Sequence, residues 1–237
     1  MEKAIAIDPN YGQALGVLAT SQAFSAHMGW ADMATVHPIA ERAALSAVQA
    51  DSEDPWAHHG LAYVYLFARR FDDSLAEFEL ALRLNPNFLL AQAFYGVALC
   101  YCGRWEEGDL AARRALRLSP RDPFSALYYG IAAHAQSIGH HYDEAIRLSH
   151  EAIRQRGDFV GVHRVLTAAA AAGMAGKHDF ATAALQELRR TQAQYHARLD
   201  RKGFAYEAER RPRALSGRIP PGRAGLGFAA AHRSVCL

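Results

Sequence analysis

Lysine is almost missing from this chain: only three of its 26 basic residues are Lys, at 3, 177 and 202. Cysteine is scarce as well. Cys100, Cys102 and Cys236 form an odd set with no disulfide framework, as in a reducing compartment. Long apolar runs are absent, since the uncharged stretches 88–103 and 165–176 are too short or too rich in Ala and Gly to span a bilayer. The opening MEKAIAIDPN lacks the basic region, apolar core and cleavage site of a secretory signal, so the expected location is cytoplasmic with no membrane contact.

Catalytic and metal signatures are missing too. The twelve histidines include no pair four residues apart on one helix face, and no Cys–His zinc spacing occurs. The neighbours His58-His59 and His140-His141 point to different sides of a helix, and His37 with Glu41 is too small a ligand set. Gly176-Lys177 lacks both the earlier glycine and the following Ser/Thr of a phosphate loop. No serine or cysteine has a recognisable base. Cys100 and Cys102 read as small buried residues. No catalytic residue, cofactor or metal ligand is expected, and the chain does not read as an enzyme.

Charge is unevenly placed. Residues 1–200 carry a formal −4 and residues 201–237 carry +6, the latter among many Gly and Pro. Arginines dispersed in this way read as a solvated basic tail rather than a nucleic-acid surface.

What is present is a 34-residue unit written twice, PWAHHGLAYVYLFARRFDDSLAEFELALRLNPNF at 55–88 and LLAQAFYGVALCYCGRWEEGDLAARRALRLSPRD at 89–122. In register, Leu61 meets Tyr95, Tyr65 meets Leu99, Phe71 meets Trp105, Ala81 meets Ala115 and Pro86 meets Pro120. Each copy holds two apolar stretches of helical spacing. They are split at Arg69-Arg70-Phe71 and at Gly103-Arg104-Trp105, and each copy closes on a proline that cannot continue a helix. Self-similarity at this period marks a helical repeat array in which stacked neighbours bury a face that no hairpin buries alone. Small residues (Gly60, Ala62, Ala81, Gly96, Ala98, Gly108, Ala115) fall where helices must approach closely.

The same ruler orders the rest of the chain. AIAIDPN matches ALRLNPN, so the sequence opens on the second helix of a unit, as a fragment of a longer protein would. A helix is expected over 11–27, a loop over 28–38 where Gly29, Asp32 and Pro38 break the pattern, and a second helix over 39–50 presenting Ala40, Ala44 and Ala47. Asp54-Pro55 and Asp122-Pro123 each offer an N-cap acceptor before a first-turn proline. A fourth unit occupies 124–136 and 142–155, with about three inserted residues placed at His140-His141. A fifth runs over 160–174 and 178–190 and includes the strong helix former 168–172. Beyond residue 200 the period is lost, and that stretch reads as a foreign or frame-shifted end.

The pattern at 55–122 resembles the tetratricopeptide repeat, whose W, L-G, Y, A, F, A and P slots hold His58, Leu61-Ala62, Tyr65, Ser74, Phe78, Ala81 and Pro86 here. In the next copy they hold Gln92, Tyr95-Gly96, Leu99, Gly108, Ala112, Ala115 and Pro120. The resemblance covers about residues 1–190. It implies an all-α, right-handed superhelical solenoid of antiparallel helix pairs over 1–197; the stretch 198–237, without a sustained apolar stripe, reads as a disordered tail. The order IAIDPNYGQALGVLA, a unit containing Gly29-Trp30, two regular units and RLSPRDPF also resembles arrays lying C-terminal to bacterial class III nucleotide cyclase or winged-helix regulator domains.

The first resemblance implies a protein-interaction scaffold, and the second implies the alternative of a regulatory segment detached from such a cyclase or regulator. In repeats of this type the first helices of successive units line a concave groove. By phase its residues are Trp56, His59, Tyr63 and Phe67, then Leu90, Ala93, Val97 and Tyr101, then Phe124, Leu127, Ile131 and His134. The competing structural reading is that these aromatics only fill the space between repeats. No counterpart exists to the Lys/Asn clamp by which some family members hold a peptide carboxylate, so the expected partner is a protein or peptide offering an apolar helix or extended segment. Self-association through the exposed half-hairpin is a further expectation.

Overall fold

The computed structural model describes residues 1–27, 31–159, 161, 163, 165, 166, 170 and 178–201. Its helices are α1 (Glu2–Ile7), α2 (Gly12–His27), α3 (Met33–Ala50), α4 (Pro55–Phe67), α5 (Phe71–Leu84), α6 (Leu89–Tyr101), α7 (Trp105–Leu118), α8 (Ser125–Ile138), α9 (Tyr142–Gln155) and α10 (His178–Arg201). Short connections make α2/α3, α4/α5, α6/α7 and α8/α9 antiparallel hairpins, which stack into an all-α solenoid. Among the described residues no helix is long and apolar enough to cross a membrane. The expected disordered tail lies outside the described residues except for 198–201, which continue α10.

One column of small residues holds each hairpin to the next. Ala47, Ala81, Ala115 and Ala152 occupy the same slot of α3, α5, α7 and α9, and none is exposed to solvent. Their carbonyls also close the helices, accepting the backbone N–H of Asp51, Asn85, Ser119 and Arg156 at 2.9–3.1 Å. Ala4 accepts from Asp8 N–H at 2.9 Å in the same way, so α1 is in phase with the second helices of later units. Two turns earlier, Ala40, Ser74, Gly108 and Ala145 fill the second buried column. The Ser74 hydroxyl donates to the Ala62 carbonyl at 2.8 Å, so this buried polar group is satisfied.

Three expectations need correction. The stretch 33–38 is helix, not loop: Asp32 caps α3 by accepting from the Thr35 backbone N–H at 3.0 Å and from its hydroxyl at 2.8 Å. Pro38 sits inside that helix, where a strong cap one turn earlier compensates for the single lost hydrogen bond. Asp54 caps α4 as expected, but Asp122 instead accepts from Phe124 N–H at 2.7 Å in a turn, and α8 begins only at Ser125. Finally, the extra residues of the fourth unit are not His140-His141. The linker 119–124 has six residues where 85–88 has four, and α8 has 14 where α6 has 13.

His140-His141 instead occupy the turn that Arg69-Arg70 and Gly103-Arg104 occupy in the preceding units. Arg69 (φ 62°), Gly103 (φ 76°) and His140 (φ 62°) all take the left-handed conformation. The next residue's N–H then reaches five residues back, from Arg70 to the Tyr65 carbonyl (2.9 Å), Arg104 to Leu99 (2.9 Å) and His141 to Gln136 (2.8 Å). This is the Schellman closure, which glycine makes without strain. Arg69→Gly is therefore expected to raise stability by about 1 kcal/mol, and Gly103→Ala to lower it by about as much, in urea unfolding of the full chain.

Candidate ligand-binding face

The first helices α4, α6 and α8 carry the residues that phase assigns to a groove, and the structure divides them. His59 and Tyr63 are 0% exposed, Ala93 is likewise inaccessible, and Val97 and Ile131 are buried. These five belong to the packed layer between hairpins and offer a ligand no surface, which corrects the expectation for them. Trp56, Phe67, Leu90, Tyr101, Leu127 and His134 are half-buried, and Phe124 is 46% exposed. The His27 and Phe67 rings lie 4.1 Å apart, Phe71 and Tyr101 lie 5.6 Å apart, and Tyr101 and His134 lie 5.7 Å apart. A row of rings thus follows the C-terminal ends of α2, α4, α6 and α8.

The layer beneath is unusually aromatic. The His59 ring is surrounded by Trp56 (5.7 Å), Tyr63 (6.2 Å), Phe78 (5.7 Å), Phe88 (5.0 Å) and Phe94 (6.2 Å). Phase explains why. The slot that Phe78 fills in α5 holds Ala44, Ala112 and Ser149 in α3, α7 and α9, so among these four described hairpins only this one places a large ring under the first helix. Neither His59 nitrogen nor the Tyr63 hydroxyl has a hydrogen-bond partner. Burial pushes the His59 pKa down to about 3 and raises that of Tyr63 well above its ordinary value.

The adjacent histidine is the opposite case. His58 Nδ1 lies 2.6 Å from Glu77 Oε2, and its Nε2 lies 2.9 Å from the Ser52 carbonyl. Both neighbours are acceptors, so both ring nitrogens must donate, and His58 is an imidazolium. Its pKa is raised first by the bond to Glu77, against the opposing effect of burial. His58 thus ties α4 to α5 and to the α3–α4 connection. His163 repeats half of this staple, with Nε2 2.8 Å from the Gly157 carbonyl, again six residues earlier. In the sequence the one signal of this role is a histidine in the tryptophan slot.

The remaining chemistry is quiet. Burial raises the Cys100 thiol to about 12 and also raises Cys102, which is exposed just past α6 rather than buried as expected, so neither is activated as a thiolate. Among the described residues no group of three or more His, Cys, Asp or Glu is placed to hold a metal ion.

The His58 bond has a defined pH window. Its folded pKa lies above the unfolded 6.5, so its stabilisation is complete below 6.5 and is lost as pH rises through the folded value. Glu77→Gln is expected to lower unfolding stability by about 2 kcal/mol at pH 6 and by clearly less at pH 9, measured by urea titration.

No family model and no curated protein matches the chain. Solved structures do. PilW, a type IV pilus biogenesis factor, shares 16% identity over 75% of this chain and 78% of its own, with a TM-score of 0.62. A tetratricopeptide repeat protein from Parabacteroides merdae shares 14% over 80% and 70%, with a TM-score of 0.55. MamA shares 16% over 70% and 94%, with a TM-score of 0.53. At such identities the likeness concerns architecture, and it agrees with the repeat phase and the buried alanine columns: the chain has the tetratricopeptide-repeat fold.

Proposed function

We propose that the chain is a non-catalytic interaction scaffold that holds an apolar helix or extended segment of a partner protein against its first-helix face. The observation that carries this reading is the row of half-exposed rings at Phe67, Tyr101 and His134, continued by Leu127 and the more open Phe124. Five positions from three successive repeats present apolar or aromatic surface with no charged side chain among them. An acidic ligand finds no cation in this row, whereas an apolar segment gains by burying it. Aromatic anchors of this kind dominate interface energies, with truncation costing ~2 kcal/mol or more. The tetratricopeptide-repeat fold of the solved neighbours supports a scaffold without naming its partner.

A photo-crosslinking amino acid placed at Tyr101 or Leu127 should capture a partner inside cells. The same group at Ala76 or Leu110, exposed on second helices, should not. Tyr101→Ser together with Phe124→Ser should weaken that partner's binding at least tenfold. Capture at Leu110 but not at Tyr101 would reject the first-helix face.

A further inference from the structure

The seams between successive first helices are not alike. α2 meets α4 backbone to backbone: a Cβ added at Gly16 would lie 2.4 Å from the Trp56 carbonyl oxygen, and one at Gly60 would lie 2.6 Å from the Gly16 carbonyl oxygen. α4 and α6 instead touch at only a few points. The space between them is filled by side chains: Trp56, His59 and Tyr63 from α4, Phe78 from α5, Phe88 from the linker and Phe94 from α6. Two polar groups lie in that filling without any partner, the His59 imidazole and the Tyr63 hydroxyl.

We infer that this α4–α6 seam is an acid-sensitive joint: protonation of His59 parts the aromatic layer and exposes the facing apolar surfaces of α4 and α6.

The surroundings give an imidazolium nothing to pair with. On α4, His58 is bonded away to Glu77 and Ser52, and Tyr63 has no partner. On α5, Glu77 is held by His58, Glu79 accepts from the Tyr95 hydroxyl at 3.0 Å, and Asp72 and Asp73 are exposed at the far end. On α6, Tyr95 is turned to Glu79, Cys100 lies against Gly108 of α7, and Tyr101 stacks on Phe71. The linker contributes only Asn85, Pro86, Asn87 and Phe88. The five rings around His59 are tilted or edge-on, none stacked face to face. Such contacts do not replace the hydration that a charged ring requires.

The sign follows from the geometry. The folded form holds His59 neutral, with a folded pKa below the unfolded 6.5. The stability it allows is fully present above 6.5 and falls as pH drops from there towards about 3. Acid acts oppositely on the neighbour, because His58 keeps both of its bonds when charged. The α4/α5 hairpin therefore stays closed and stays on α2, and the array yields on the α6 side. The joint stands whether or not the outer face binds a segment.

Hydrogen exchange of the full chain, read by mass spectrometry between pH 7 and 5 and corrected for intrinsic rates, tests this directly. Opening of α4 and α6 should increase up to tenfold per pH unit in the wild type, and this increase should vanish in His59→Phe. An NMR titration of the His59 ring in the wild type needs no variant: the ring should stay neutral to pH 5 in the folded chain. Titration near pH 6.5 without loss of fold, or an equal pH-dependent opening in His59→Phe, would overturn the joint.

Discussion

Everything in this array rests on how closely two helices can approach at the alanine column of each second helix. Ala47, Ala81, Ala115 and Ala152 are sealed from solvent, and the first helix of the next hairpin packs against the same elements. A methyl group is the largest side chain that lets backbones meet while still removing apolar area from water. The column keeps the second helices in one register along the array. The residues one turn earlier can then vary, and that variation gives each seam its own character.

Phe78 is where variation matters most. A ring stands here in place of the alanine or serine found elsewhere, and α6 does not settle on α4 as α4 settles on α2. The gap is filled from both sides by rings, and it encloses a neutral histidine directly beside a charged one. Adjacent positions on a helix face different environments, so His58 finds a carboxylate and a carbonyl while His59 finds only aromatic rings. Two identical side chains, one residue apart, are thereby set to opposite protonation states, His58 by its bond to a carboxylate and His59 by burial.

Much of the architecture is legible in the sequence because a repeat states its own register. Two in-phase copies located Ala81 and Ala115, the hairpin turns and the half-unit at Glu2–Ile7, all of which the structure contains. The departures share a cause: a local signal does not state which neighbour satisfies it. Pro38 has the look of a breaker because the Asp32–Thr35 cap that tolerates it is a matter of geometry. His140-His141 has the look of an insertion because a histidine does not announce a left-handed turn as Gly103 does.

The face of the first helices was legible only as a set of positions. Phase assigns both Tyr63 and Tyr101 to the groove, yet Phe67 and Phe94 pack on the first, which is fully buried, while the second stays half open. Hydroxyl-radical footprinting of the folded wild-type chain, read residue by residue, reports this division most directly. Phe124, Tyr101 and Phe67 should be oxidised readily, while Tyr63 and Phe78 should be protected until the chain unfolds. Oxidation of Tyr63 at the rate of Tyr101 in the folded protein would contradict the account.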